Sequence, residues 1–156
     1  MAIERVRAFF AQRGMEDRIV EFDVSSATVE LAAAAVGCEP CRIAKSLSFK
    51  IDDGAALIVA AGDARVDNKK FKACFAQKAK MLTAKEAVDL VGHAVGGVCP
   101  FAVNEGVRVY LDESLRRFAT VFPACGSANS AIELTIAELE THSGSLGWVD
   151  VCKDWV

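Results

Sequence analysis

The sequence lacks several features that would place it in a familiar class. It has no apolar run of the roughly 20 residues that a membrane-spanning helix needs. Its N-terminus lacks the basic stretch followed by an apolar stretch that marks a signal peptide. No P-loop, dinucleotide fingerprint, H-E-x-x-H or G-x-S-x-G motif occurs. We therefore expect a cytosolic protein that makes no membrane contact and belongs to none of the catalytic classes that those motifs define.

The chain also lacks an excess of positive charge. It has 18 basic and 21 acidic residues, which give a net charge of −3, so it is not a general polyanion binder and we do not expect it to bind DNA. Any nucleic-acid contact must be local. One basic cluster, Lys69, Lys70 and Lys72, is a candidate, although a solvated helix face is the commoner explanation of such a cluster.

Metal-ligand patterns are incomplete. Cys38 and Cys41 have the C-x-x-C spacing of half a zinc site or of a redox pair. No second C-x-x-C follows, and the histidines, His93 and His142, are isolated. We expect reduced cysteines, no metal and no cofactor; a thiol or zinc protein is an alternative.

The 156 residues, 53% of them hydrophobic, indicate one globular domain over residues 1–156. Periodicity and capping signals predict helices at 2–13, 29–36, 68–77, 84–91 and from 136 onward. They predict strands at 19–22, 42–51, 55–61, 107–111, 118–122, 131–134 and 148–152, with a hairpin turn at 52–54. The irregular order favours an α/β domain of the α+β type, with a mixed, partly rolled sheet surrounded by helices, over a doubly wound parallel sheet.

The predicted strand at 42–51 carries a lysine on its apolar face. Alternation places Lys45 on the same side as Ile43 and Leu47, whereas Lys50 points the other way. A buried ammonium costs free energy unless it is paired or used. A lysine at the start of a strand can instead extend its amine to the rim, and the strand pattern by itself admits both interpretations.

A second candidate feature is the glycine-rich loop at 92–101. Gly96 and Gly97 allow backbone conformations closed to other residues and a close approach of substrate to N–H groups, as in a backbone oxyanion hole. Pro100 stiffens the exit from the loop. Most stretches of this composition are only turns.

Several weak motifs occur in one order. They are Thr28 with Glu30, Lys45-Ser46-Leu47, Gly62-Asp63, Asn68-Lys69-Lys70, Gly96 to Phe101, Val109 to Asp112, and Gly126 before Ile132-Glu133-Leu134. In this order and spacing, over about residues 15–152, the chain resembles the YbaK/ProX family, the free-standing relatives of the prolyl-tRNA synthetase editing domain. The resemblance implies a metal-independent hydrolase that removes a mischarged amino acid from aminoacyl-tRNA, usually proline tRNA. It would act in trans, with an aminoacyl-tRNA synthetase as a further candidate partner.

The resemblance also implies roles for residues. Lys45 matches the main functional lysine of the family, and the glycine and proline of its pocket loop match Gly96 and Pro100. Cys99, where relatives often have serine, and Ala102, where they often have glycine, depart from the pattern, so amino-acid specificity does not carry over. Catalytic roles are expected for Lys45, Gly96 and Gly97, substrate contacts for Thr28, Val98, Cys99, Pro100, Phe101, Gly126 and Ser127, and tRNA contacts for Lys69, Lys70 and Lys72.

The residues leave the mechanism open. Backbone N–H groups near Gly96, Gly97 and Val98 are expected to face the ester carbonyl. Lys45 is expected to stabilise the oxyanion, to hold the terminal adenosine phosphate or, with a lowered pKa, to activate water. A non-catalytic module that senses charged tRNA or an amino acid is the alternative of a different class.

Overall fold

A computed structural model describes residues 2–155 of the chain, which form a mixed sheet with helices around it. Along these residues the elements are α1 (Ala2–Ala11), β1 (Ile19–Glu21), α2 (Val29–Val36), β2 (Ile43–Ile51), β3 (Gly54–Ala61), β4 (Arg65–Val66), α3 (Asn68–Phe75), α4 (Ala84–Glu86), β5 (Arg108–Asp112), β6 (Thr120–Pro123), β7 (Ser130–Ile132), β8 (Leu134–Thr135), α5 (Ile136–His142), β9 (Trp148–Val149) and β10 (Cys152–Lys153). A π-helical stretch, Ala87–Val91, continues α4.

The main sheet has six strands in the order β8-β6-β2-β3-β5-β9. β2 and β3 form the predicted antiparallel hairpin, whereas β5 runs parallel to β3 and β6 runs parallel to β2. β3 is buried from Ala55 to Ala61 because the sheet continues on both sides of it and is covered on both faces. The predicted mixed sheet surrounded by helices is confirmed.

Local capping signals define the helices where they were predicted. Thr28 accepts a hydrogen bond from the Leu31 amide, and Gly37 ends α2 in the left-handed conformation. Capping boxes at Thr83 and Thr135 open α4 and α5. α3 ends two residues before the predicted position because Ala76 adopts the left-handed conformation.

Long-range contacts divide two predicted strands. The stretch predicted at 148–152 forms β9 and β10, because between them the Val151 amide donates to the Asp112 carboxylate at 2.9 Å. The stretch predicted at 131–134 lies in β7 and β8, which pair with β1 and β6 respectively. Within residues 2–155 no helix has the length and apolar character needed to cross a membrane.

The outer edge of β2 has a gap in its pairing. Ala44 pairs with Pro123 of β6 at one end. At the other end, the Leu82 amide donates to the Ser48 carbonyl and the Lys50 amide donates to the Lys80 carbonyl. Peptide groups of alternate residues point to the same side of a strand, so the N–H and C=O of Ser46 point into the gap, where no strand of the described residues pairs with them.

Candidate active site

A cavity of about 330 Å³ lies against this gap. Its walls come from β2, from the start of α2 with the residues before it, from the glycine-rich loop and from the segment that contains Leu82. The lining residues are Ser26, Ala27, Thr28, Val29, Ala32, Ile43, Ala44, Lys45, Ser46, Leu47, Ser48, Met81, Leu82, Val95, Gly96, Val98, Phe122, Ala124, Ser130 and Ala131. Lys45 is the one charged side chain in this set, so the cavity carries a cation and no carboxylate.

The half-buried Lys45 ammonium is held by main-chain oxygens. It donates to the carbonyl of Gly62 at 3.3 Å and also to the carbonyl of Ala64. An ammonium has three N–H donors, so one remains for a ligand. Burial lowers the pKa of Lys45, while the Asp63 carboxylate acts in the opposite direction.

The turn that supplies these carbonyls is braced by an ion pair. Arg117 donates to both carboxylate oxygens of Asp63, at 2.6 and 3.0 Å. The hydrogen bonds from Arg117 hold the pKa of Asp63 below its usual value. The carboxylate next to Lys45 in space therefore stays ionised and keeps a fixed position at neutral pH.

The glycine-rich loop contributes Val95, Gly96 and Val98 to the cavity lining, and Gly97 is not among the lining residues. Gly96 adopts the left-handed conformation, with φ of 97°. The Gly97 amide donates to the Ala94 carbonyl at 3.0 Å, so this N–H is engaged within the loop. A Cβ on Gly97 would lie 2.7 Å from the backbone nitrogen of Ser127, and this close approach requires glycine.

Other residues expected at the site lie behind its walls. Cys99, Pro100 and Phe101 are buried and do not line the cavity. The Cys99 sulfur lies 3.5 Å from Nε2 of His93, but burial raises the pKa of this thiol to about 12, so it is protonated at neutral pH.

The first residues of the loop that begins at Gly126 also lie outside the cavity lining. Gly126 packs against the backbone of Ala2. The Ser127 hydroxyl oxygen lies 2.7 Å from that of Ser130, and of these three residues Ser130 lines the cavity. Thr28 lines it as well, with its hydroxyl engaged in the cap of α2.

Sequence reasoning missed several lining residues. Ser26, Met81, Leu82, Ala124 and Ala131 lie in segments that carry no distinctive motif. Ser46 was part of the Lys45-Ser46-Leu47 motif, but strand alternation placed its side chain on the opposite face from Lys45. The gap in β2 pairing brings these segments together, and no local pattern indicates that gap.

The basic cluster lies on α3, outside the cavity lining. The Lys70 ammonium donates to Asp150 at 3.0 Å and to the Cys152 carbonyl at 2.9 Å, which ties α3 to the C-terminal segment. Lys69 and Lys72 are exposed. Only the two-residue strand β4 and Asp67 separate α3 from Ala64, whose carbonyl holds Lys45.

No metal site accompanies these groups in the part of the chain that the structure describes. Residues 2–155 contain no cluster of three His, Cys, Asp or Glu side chains able to hold an ion. All six cysteines are free thiols. Burial raises the pKa of both Cys38 and Cys41, so neither has the lowered pKa of a reactive thiolate.

The fold and the site define a small mixed α/β domain with a lysine held beside a largely apolar cavity. The chain belongs to the aminoacyl-tRNA editing domain family, whose sequence model matches residues 24–141. The family predicted from the ordered motifs is therefore confirmed.

Individual relatives agree with this assignment. The chain is 55% identical to the uncharacterized protein YwhH of Bacillus subtilis (strain 168), over 99% of both chains. It is 31% identical to the proline–tRNA ligase of Geobacillus sp. (strain WCH70) over 64% of this chain, a match that spans 18% of the ligase. A solved structure described as a candidate trans-editing enzyme for prolyl tRNA synthetase has a TM-score of 0.87 and 32% identity, with 97% of each chain covered.

Proposed function

We propose that the protein is a trans-editing deacylase that hydrolyses the ester of mischarged aminoacyl-tRNA. The observation that carries this proposal is the Lys45 ammonium, held by two carbonyls at the wall of a cavity and left with one free donor. Family membership and the similarity to proline–tRNA ligase support proline tRNA as the substrate.

The chemistry needs little acid–base machinery. An aminoacyl ester is activated, so placing water and polarising the carbonyl account for much of the rate. Lys45 supplies the positive charge that stabilises the developing oxyanion. Its two carbonyl acceptors favour the protonated, charged form, which suits this role better than that of a general base.

Backbone amides of the glycine-rich loop assist Lys45. Gly96 and Val98 line the cavity, and their N–H groups are the candidates for the carbonyl oxygen. Gly97 has a positioning role, because it lets the loop lie against Ser127.

The cavity suits a small amino acid. Its volume of about 330 Å³ must hold the ester and the terminal ribose together with the amino acid. We infer that the amino acid removed is small, from the group alanine, cysteine, serine and threonine. We infer that Lys69 and Lys72, the exposed lysines of α3, contact phosphates of the acceptor end.

The test is a deacylation assay with proline tRNA charged separately with alanine, cysteine, serine, threonine and proline. We expect hydrolysis of at least one small non-cognate ester and none of the prolyl ester. Lys45→Ala should abolish it. Lys50→Ala, which removes an exposed lysine of the same strand, is the matched control and should retain wild-type turnover.

Two results would overturn the proposal. Near-normal turnover by Lys45→Ala would exclude the lysine as the functional group. Binding of charged tRNA without hydrolysis of any of the five esters would instead identify a sensing module.

A further inference from the structure

The two-residue strands β4 and β10 form an antiparallel ribbon that carries two cations side by side. Its register pairs Val66 with Cys152 and Arg65 with Lys153. Val66 and Cys152 pack in the core, so strand alternation turns Arg65 and Lys153 to the outer face, where both are exposed. Side chains directly opposite each other have Cβ atoms about 5 Å apart, and like charges in such a pair are destabilising.

Acidic side chains do little to offset this repulsion. No ion pair among residues 2–155 includes Arg65 or Lys153. Asp63 is bound by Arg117 through both carboxylate oxygens. Asp67 accepts hydrogen bonds from the first amides of α3, and these bonds, together with the charge of Lys153, lower its pKa. The two cations therefore share one carboxylate that already caps a helix.

The ribbon lies beside the Lys45 ammonium. Arg65 directly follows Ala64, whose carbonyl accepts a hydrogen bond from Lys45. Burial is the main cause of the lowered pKa of Lys45, and the positive charge of Arg65 acts in the same direction, as expected of two cations that lie close together. Lys45, Arg65 and Lys153 thus extend from the cavity wall to the outer face of the ribbon.

An anion is the ligand that relieves repulsion between two cations. A guanidinium donates through a planar fork that matches a phosphate, and an ammonium adds a point charge. In the substrate of the proposed deacylase the ester is on the terminal ribose, and the nearest anion is the phosphodiester that joins the last two nucleotides. A site for this phosphodiester must lie close to the group that binds the ester, as the ribbon does.

We propose that Arg65 and Lys153 together bind the last phosphodiester of the single-stranded 3′ end of the tRNA and so align the ester with Lys45. The inference rests on the proposed function and adds a binding site that is separate from the α3 lysines. The like-charge pair costs stability in the free protein, and the bound phosphodiester offsets that cost.

The experiment is a double-mutant cycle between the ribbon and one phosphate. Fluorescence titration at low salt measures binding of an uncharged acceptor-stem hairpin of proline tRNA that ends in CCA. In a second hairpin an uncharged methylphosphonate replaces the last phosphodiester. For the wild type we expect this replacement to lower affinity roughly tenfold.

The Arg65→Gln, Lys153→Gln double variant should bind the unmodified hairpin roughly tenfold more weakly than the wild type does. It should then lose less than about twofold more on the methylphosphonate hairpin, because its partner phosphate is already unused. Lys85→Gln removes an exposed lysine of α4 and is the matched control. It should bind both hairpins as the wild type does.

Thermal unfolding separates a binding role from a structural one. Arg65→Gln and Lys153→Gln each remove one member of the repelling pair, so each should leave Tm unchanged or raise it. A fall in Tm for both variants would show that the two charges stabilise the ribbon within the protein, which would overturn the inference.

The outcomes distinguish this inference from the function on which it rests. If the losses from the double variant and from the methylphosphonate simply multiply, or if the wild type binds neither hairpin, the ribbon does not bind this phosphate and the inference fails. Hydrolysis of a mischarged ester would leave the deacylase standing in either case. A coupled loss of affinity without hydrolysis of any ester would support the phosphate site and overturn the deacylase proposal.

Discussion

The Lys45 ammonium nitrogen lies 3.3 Å from the carbonyl oxygen of Gly62, at a position where the chain has no room for a side chain. A Cβ on Gly62 would lie 2.0 Å from the carbonyl oxygen of Pro40 and 2.8 Å from a methyl carbon of Val29. The packing of this turn against α2 and against Pro40, in the segment before β2, therefore fixes the acceptor that holds the lysine.

Gly62→Ala tests this relationship. The added methyl must displace the turn, so we expect a loss of about 1–3 kcal/mol in the free energy of unfolding, the usual cost of overpacking, and a lower deacylation rate. Gly54→Ala is the control, since its Cβ would meet nothing closer than 4.0 Å. Urea denaturation and the deacylation assay measure both effects, and equal stability of the two variants would contradict the prediction.

Burial of Lys45 should appear in the pH dependence of stability. The pKa of Lys45 is lowered from its ordinary value of 10.5, so the folded protein releases this proton at a lower pH than the unfolded chain does. Between the lowered pKa and 10.5 the unfolded chain binds more protons, and stability must rise with pH. The cost of burying the cation is fully present below this window and is relieved as pH rises through it.

The comparison with Lys45→Met isolates this effect from other titrating groups. Relative to that variant, the wild type should gain stability as the pH is raised from neutrality towards 10.5. Denaturant unfolding of both proteins over this range gives the difference directly. Parallel pH profiles would mean that the ammonium is not desolvated in the folded protein.

Substitutions of the α3 lysines should have two kinds of effect, one on stability and one on tRNA binding. Lys70→Ala removes the bonds to Asp150 and to the Cys152 carbonyl, so it should lower stability. Lys72→Ala removes an exposed charge and should weaken tRNA binding with little effect on stability. Removing one lysine–phosphate interaction should reduce the slope of the log binding constant against log salt concentration by roughly 0.7–0.9.

Fluorescence binding titrations at several salt concentrations, together with thermal unfolding, measure both effects. A Lys69→Ala, Lys72→Ala double variant should extend the loss of affinity. If this double variant binds tRNA as tightly as the wild type at low salt, α3 is an ordinary solvated helix face.

The thiols should differ sharply in reactivity. Cys74 is exposed, whereas Cys99 and Cys125 are fully buried, and burial raises the pKa of all three thiols. Alkylation of the native protein, followed by peptide mass spectrometry, should modify Cys74 first and the buried pair only after unfolding. Rapid native labelling of Cys99 would show that this thiol is accessible and would contradict the prediction.

Local signals predicted most of the elements. Thr28 and Gly37 bound α2, and the capping boxes at Thr83 and Thr135 open their helices, because each cap is a bond between residues only a few positions apart. The predicted limits of a strand were poorest where a residue distant in sequence determines them. Asp112 interrupts the last predicted strand by accepting from Val151, 39 positions away.

In the site, too, local signals predicted some features and distant contacts determined the others. Alternation in β2 marked Lys45 as a lysine on the apolar face, and the glycine loop was recognised from composition. Tertiary packing decides whether a residue of that loop faces the cavity or packs against the segment behind the loop. Gly96 lines the cavity, while Gly97 lies against Ser127.

The sequence by itself therefore determined the hairpin, the helix caps, the family and the choice of Lys45, since each is encoded in short-range periodicity or in the order of motifs. Only the tertiary structure decided where the cavity lies. It forms where β6 stops pairing with β2 at Ala44 and the segment ending in Leu82 begins pairing at Ser48. The packing of segments far apart in sequence sets those two limits.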